Sequence, residues 1–184
     1  NLMLQLNATV VRWFGTEREG KMDQRKIKLF GPVEIEGYQP DDKMPVVVLL
    51  VLILFSKEAM DREQMAEEIW GEGTRKKNEL KRYITLLRNK GGFSKLLPVG
   101  NWKDRAAPPY QLNTTVLDID VLQFDGYIAG EISDKEKALG LYRGRLLANV
   151  EGGKADKDIV KKQRAKRHDD YIRAVHAVSS FKAE

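Results

Sequence analysis

Residues 61–87, DREQMAEEIWGEGTRKKNELKRYITLL, decide how the rest of the chain is read. Asp61 followed three residues later by Gln64 is a capping-box pattern, which marks a helix start. Met65, Ile69 and Trp70 then form an apolar stripe, and Gly71 and Gly73 end it. A second helix is predicted from near Thr74 to Lys90. Its apolar residues Leu80, Tyr83, Ile84 and Leu87 recur at the spacing of one helical face. Gly91-Gly92 closes it. Trp70, Leu80, Ile84 and Leu87 are assigned to a core.

The opposite face carries the chemistry. At about 100° per residue, Thr74, Arg75, Asn78, Lys81, Arg82, Thr85 and Asn89 point away from the apolar stripe. Arg and Asn can each make two hydrogen bonds at once to a guanine or adenine edge. Such a helix, preceded by a short helix and a glycine turn, has the pattern of a helix-turn-helix reader. An ordinary amphipathic helix with a solvated charged face has the same pattern. The surroundings must separate the two.

Charge is the first of these. The chain of 184 residues carries a formal net charge of +5. Residues 75–105 hold ten Lys and Arg against Glu79 and Asp104, a net +8, which leaves the remainder at −3. Positive charge concentrated in this way suits a polyanion. A hydrophobic fraction of 42% supports a true core, and the length allows one large or two small domains. The absence of cysteine excludes a disulfide frame and a thiolate metal site. The longest apolar run, residues 45–55, is too short to span a bilayer. No stretch has a signal-peptide layout. A cytoplasmic location is therefore expected, with Asn1 an internal or trimmed point of a longer protein.

Working outward, residues 1–24 lean towards strand up to Phe14 and then turn polar. They are assigned to an N-terminal extension or linker, or an extra strand. Residues 26–37, KIKLFGPVEIEG, alternate apolar and charged residues about a Gly31-Pro32 break, and predict a β-hairpin. Residues 46–55 combine β-branched valines with a helix-like length and are assigned to a buried helix. Leu96–Val99 and Tyr110–Asn113 are assigned to two closing strands. The loop between them bears Trp102, Lys103 and Arg105 and resembles a wing; an ordinary surface hairpin fits equally well.

From Leu117 the pattern becomes helical. Asp120 with Gln123, and Ser133 with Glu136, repeat the capping spacing and predict helices over residues 121–128 and 134–141. Residues 142–145 break the second. A last helix is predicted over residues 156–181, with Val160, Tyr171, Val175 and Val178 on its stripe. Its basic run of Lys161, Lys162, Arg164, Lys166 and Arg167 is assigned to a solvated face. These helices are expected to pack on the preceding unit, because three short helices bury little core alone.

A hairpin, three helices and a closing hairpin follow the order of the OmpR/PhoB-type winged helix. KIKLFGPVEIEG resembles the opening strands of that domain in the antibiotic regulatory (SARP) family of bacterial activators. DREQMAEEIWGEG is similar to their second helix, NELKRYITLLRN to their recognition helix, and PPYQLN to their wing strand. Further on, LDIDVLQFDGYI and KALGLYRGRLLANV resemble the start of the bacterial transcriptional activation domain, a tetratricopeptide-like module. Pro109 stands where the family has glycine before the wing tyrosine, and Leu86 where a basic residue is usual.

The resemblance implies an α+β fold. A winged helix-turn-helix over residues 25–116, with an N-terminal hairpin and a C-terminal wing, is followed by a truncated all-α segment over residues 117–184. It implies a transcriptional regulator that binds double-stranded DNA, with residues 74–89 in the major groove. Arg75, Asn78, Lys81, Arg82 and Thr85 would face bases or flanking phosphates. Lys76, Lys77 and Arg88 would hold phosphates beside them, and Lys103 and Arg105 would do so from the wing. Phosphate contacts position and base contacts specify. RNA polymerase, or a second copy of the chain, is the further partner assigned to the helical segment. No cofactor and no metal are expected. His168 and His176 lie eight residues apart, share a face and cannot complete a metal site unaided. Neither a phosphate-binding glycine loop nor a catalytic triad is visible, so no enzyme is expected. The rival binding mode is a winged helix that docks protein through an exposed Leu86.

Overall fold

The computed structural model describes residues 24–57, 60–73, 76–97, 110–150 and 157–183. Its centre is the first helix, α1 (Met44–Leu54), which settles the ambiguous apolar run. Met44 through Ile53 are all buried. Strand propensity loses here because a continuous apolar run can be covered on every side only inside other elements. Pro45 sits in the first turn, where its missing N–H costs nothing. Asp42 Oδ1 accepts the Met44 N–H at 2.9 Å.

The sheet has three short strands in the order β2-β1-β3. β1 (Arg25–Lys28) and β2 (Glu34–Ile35) form the predicted hairpin, antiparallel, with Ile27 opposite Ile35. Gly31 turns it at φ +76, a conformation glycine adopts without strain. β3 (Leu117–Ile119) lies parallel to β1 on the other side, with Ile27 opposite Ile119. Residues 117–119, assigned to the start of the helical segment, therefore belong to the sheet. A parallel neighbour needs a long crossover, and the intervening helices supply it. These are α1, α2 (Arg62–Trp70) and α3 (Lys77–Asn89).

The closing hairpin is seen only in part: the Asn113 N–H donates to the Leu96 carbonyl at 2.9 Å, between the two expected strands, but the described residues of that region form no strand. Phe93 to Leu97 is a turn of helical type, with the Leu97 N–H donating to the Phe93 carbonyl at 2.9 Å. Phe93 and Leu97 are both fully buried, and a four-residue spacing puts two side chains on one side only when the backbone turns. Tyr110 pairs with Met60 in an isolated antiparallel bridge. The wing loop, with Trp102, Lys103 and Arg105, lies outside the described residues, as does the extension over residues 1–23.

Three helices follow: α4 (Asp120–Ile128), α5 (Ile132–Leu141) and α6 (Asp158–Ala183). Neither predicted cap operates. The N-cap of α4 is Ile119 and that of α5 is Glu131, each without a side-chain cap bond. The Asp120 carboxylate turns to the sheet, where it accepts the N–H groups of Leu29 at 2.9 Å and Phe30 at 3.0 Å. Those amides are buried just past the end of β1, and a buried amide must find a partner. Gln123 donates instead to Asp118 at 2.6 Å.

The basic run of α6 is also only partly solvated. Arg164 is 6% exposed and Arg167 1%. Arg164 donates to the carbonyls of Leu146, Leu147 and Val150 at 2.7–3.0 Å, and Arg167 pairs with Asp125 at 2.6 Å. Both charges thus have partners, while Arg167 Nε and Asp125 Oδ1 stay buried without a hydrogen bond among the described residues.

One buried cluster runs from Ile27 and Phe30 through α1, α2 and α3 to Phe124, Leu146 and Val160. The helical segment thus packs on the preceding unit, as expected. Asp120 is the joint. Asp120→Ala leaves two buried amides without an acceptor and should cost about 1–3 kcal/mol for each. Asp120→Asn keeps one acceptor and should cost less. Burial raises the pKa of Asp120, against the bonds from Phe30 and Leu29 that lower it. A folded pKa above the unfolded one means stability that is lost as pH rises through the raised value. The gap between the parent and the non-titrating Asn variant should therefore narrow as pH rises through that window in urea denaturation.

Candidate nucleic-acid interface

The two helices of the opening stretch form as their local chemistry requires. In α2, Asp61 Oδ1 accepts the N–H groups of Glu63 at 2.7 Å and Gln64 at 2.8 Å. Gln64 Oε1 returns the bond to the Asp61 N–H at 3.0 Å. The predicted capping box is complete. Met65, Ala66 and Ile69 face inward. Gly71, at φ +92, and Gly73, at φ +69, turn the chain.

Helix α3 starts at Lys77 with Lys76 as its N-cap, later than the predicted Thr74. Thr74 and Arg75 lie outside the described residues, as does the side chain of Lys77. The helix packs on both α1 and α2. Leu80, Tyr83, Ile84 and Leu87 are buried, as the stripe predicts. At its end, Gly91 donates to the Leu86 carbonyl at 3.1 Å and Phe93 to the Leu87 carbonyl at 3.2 Å. Gly92, at φ +71, makes this turn possible.

Opposite the stripe, Asn78, Lys81, Arg82, Thr85 and Asn89 are exposed, and Lys76 is exposed at the start of the helix. The fold therefore brings Asn78, Lys81, Arg82 and Thr85 together on one outer face. Two cations rest on aromatic rings. The Arg82 guanidinium carbon is 5.6 Å from the centre of the Tyr83 ring, and Lys76 Nζ is 5.9 Å from that of Trp70. Trp70 and Tyr83 stack on each other at 6.4 Å. Trp70, assigned to the core, is thus half-buried and bridges α2 to α3. Tyr83 was legible as an apolar position, but nothing in the spacing showed this pairing. The exposed Thr85 donates its hydroxyl proton to the Lys81 carbonyl at 2.8 Å.

Arg88 is half-buried on the flank, and its Nε is buried without a hydrogen-bond partner among the described residues. Leu86 is half-buried against the core cluster, which leaves little of it for an apolar contact. Lys103 and Arg105 cannot be placed relative to this face, since both fall outside the described residues. Together the exposed groups offer donors and fixed positive charge on a convex helix. A surface of this kind can hydrogen-bond base edges and neutralise phosphates.

Elsewhere, His168 and His176 are exposed on α6. Among the described residues, no group of three or more His, Asp or Glu is placed to hold a metal ion. No described helix is long and apolar enough to cross a membrane.

No protein-family model matches the sequence. No curated protein matches it either. Among solved structures, the chain is similar to that of Mycobacterium tuberculosis EmbR in complex with low affinity phosphopeptide. The TM-score is 0.60 at 19% sequence identity over 84% of this chain. The likeness is one of fold, and this chain spans 44% of the length of that one.

The two faces of α3 should separate cleanly in thermal melts. Leu80→Ala removes fully buried volume and should cost about 2–5 kcal/mol. Arg82→Ala removes an exposed side chain and one cation–π contact, and should cost no more than about 1 kcal/mol.

Proposed function

We propose that this chain is a sequence-specific, double-stranded DNA-binding regulator of transcription. In this reading the fold is a winged helix-turn-helix of the OmpR/PhoB type, with α3 entering the major groove. One observation carries it. The inner face of α3 is fully engaged by α1 and α2, while its outer face gathers Asn78, Lys81, Arg82 and Thr85 with no exposed acid among them. The net +8 of residues 75–105 adds long-range attraction to a polyanion. The sequence resemblance to the SARP activators and the fold likeness to EmbR support the same reading.

The roles then divide by position. Arg82 and Asn78, at the centre of the outer face, read base edges. Lys81 and Thr85 sit beside them and reach bases or adjoining phosphates. Lys76 and Arg88 lie nearer the flanks and hold phosphates, a role also assigned to Lys77, and Arg75 is assigned to bases or flanking phosphates. Lys103 and Arg105 would add backbone contacts from the wing. The chain is assigned no catalytic role.

Fluorescence anisotropy on labelled duplexes tests this. With about five to seven phosphates neutralised, log K should fall against log salt with a slope of about −4 to −6. Arg82→Ala should cost about 1–3 kcal/mol on a preferred site and relax the preference there. Lys76→Ala should weaken all duplexes alike and reduce the slope by about one. A flat salt response, or no binding at low salt, would leave the protein-docking rival in possession of the fold.

A further inference from the structure

We propose that Tyr83, backed by the Trp70 ring, is a positioning residue that holds the Arg82 side chain in the posture base reading requires. The inference rests on the reading of α3 given above. It assigns part of that helix's specificity to two rings that need touch no DNA.

The placement follows from the helix. At about 100° per residue, Tyr83 is the edge of the inward stripe nearest to Arg82, and Ile84 is the opposite edge. Tyr83 therefore stands on the border between the core and the outer face. It is 4% exposed. Its ring stacks on that of Trp70, the last residue of α2, with centres 6.4 Å apart and planes at 24°. Aromatic pairs at such distances attract beyond their buried area, so a second helix holds the Tyr83 ring in place.

Arg82 rests on this fixed ring, with its guanidinium carbon 5.6 Å from the ring centre. That distance is within cation–π range. Among the described residues Arg82 makes no ion pair and no side-chain hydrogen bond. The ring is thus the contact that limits where the guanidinium lies.

Only base reading depends on that limit. A guanine edge takes two bonds from arginine when the planar fork is aligned with it. On a wrong sequence the same side chain can turn to a neighbouring phosphate, which carries no sequence information. A free arginine loses rotamer freedom when it docks, and the loss is greatest where one posture is demanded. A ring that already restricts the rotamers lowers this cost at the preferred site alone. Its removal should therefore reduce specificity and leave general affinity nearly unchanged. Trp70 also carries Lys76 Nζ at 5.9 Å. Loss of Trp70 should weaken all duplexes slightly as well, a part that cancels in the ratio of two duplexes.

The test uses the full chain, a preferred duplex selected from a random pool, and a scrambled duplex, with fluorescence anisotropy as the readout. Tyr83→Leu should lower the ratio of the two affinities about two- to fivefold, the worth of one exposed cation–π contact. Tyr83→Phe keeps the ring and should keep the ratio. In an Arg82→Ala background Tyr83→Leu should change the ratio no further, because the contact is already gone. A merely structural role for Tyr83 would weaken both duplexes alike in either background. Side-chain NMR of the free protein reads the posture directly. Ring current should shift the Arg82 signals upfield in the parent and in Tyr83→Phe, and the shift should vanish in Tyr83→Leu. Should Tyr83→Leu fail to fold, Trp70→Leu, at a half-buried site, removes the backing ring and should lower the ratio about twofold. A folded Tyr83→Leu variant with the parent's ratio, or with the parent's Arg82 signals, would overturn this proposal and leave the reading of α3 standing. A parent chain that prefers no duplex would overturn that reading, and this inference with it.

Discussion

A helix without a polar face constrains the rest of this molecule. From Met44 to Ile53, α1 offers no side chain to water, so it is stable only where other elements enclose it. Helices α2 and α3 take two of its sides, and the same buried cluster continues through the sheet into α4 and α6. The strands are too short to form a stable sheet unaided, and they gain their stability from that shared core. The described residues from β1 to α6 therefore form one packed body. Asp120 is the clearest sign of this, a carboxylate from the helical segment that completes the hydrogen bonding of the first strand.

The same constraint gives α3 its orientation. Leu80, Ile84 and Leu87 are held against the core, so the helix cannot rotate without exposing them. Asn78, Lys81, Arg82 and Thr85 are then obliged to face outward. Trp70 stacked on Tyr83 ties α2 to α3 on the outer side of that core. With Lys76 and Arg82 resting on those two rings, the electrostatic face is attached to the rigid part of the fold. Order of this kind in the free protein lowers the entropic cost of an encounter.

Much of this was legible in the sequence, for reasons that differ by residue. The α2 capping box succeeded because Asp61 is exposed and meets no rival partner among the described residues. The same spacing at Asp120 and Gln123 failed because a tertiary partner, the end of β1, claimed the carboxylate. The pattern at Ser133 and Glu136 failed because α5 starts earlier, at Ile132. Local rules hold where nothing distant competes. Arg164 and Arg167 occupy the same stripe as Val160, Tyr171 and Val178 by spacing, yet their charge argued for water. The carbonyls of Leu146, Leu147 and Val150, which accept from Arg164, reversed that argument. β3 is three residues long, too short for its alternation of Leu117, Asp118 and Ile119 to be told from the start of a helix. The α3 face was legible because one helix encodes it, whereas the stacking of Trp70 on Tyr83 joins two helices.

In the proposed function the face on α3 reads sequence and is not merely a charged surface. Selection of bound duplexes from a random pool distinguishes the two most directly. It should be run with the parent and with a variant carrying Asn78→Ala, Lys81→Ala, Arg82→Ala and Thr85→Ala together. The parent should enrich a short motif, and the variant should keep a folded melt and enrich none. Recovery of the parent pool without a motif, or the same motif from the variant, would contradict a reading role for this helix.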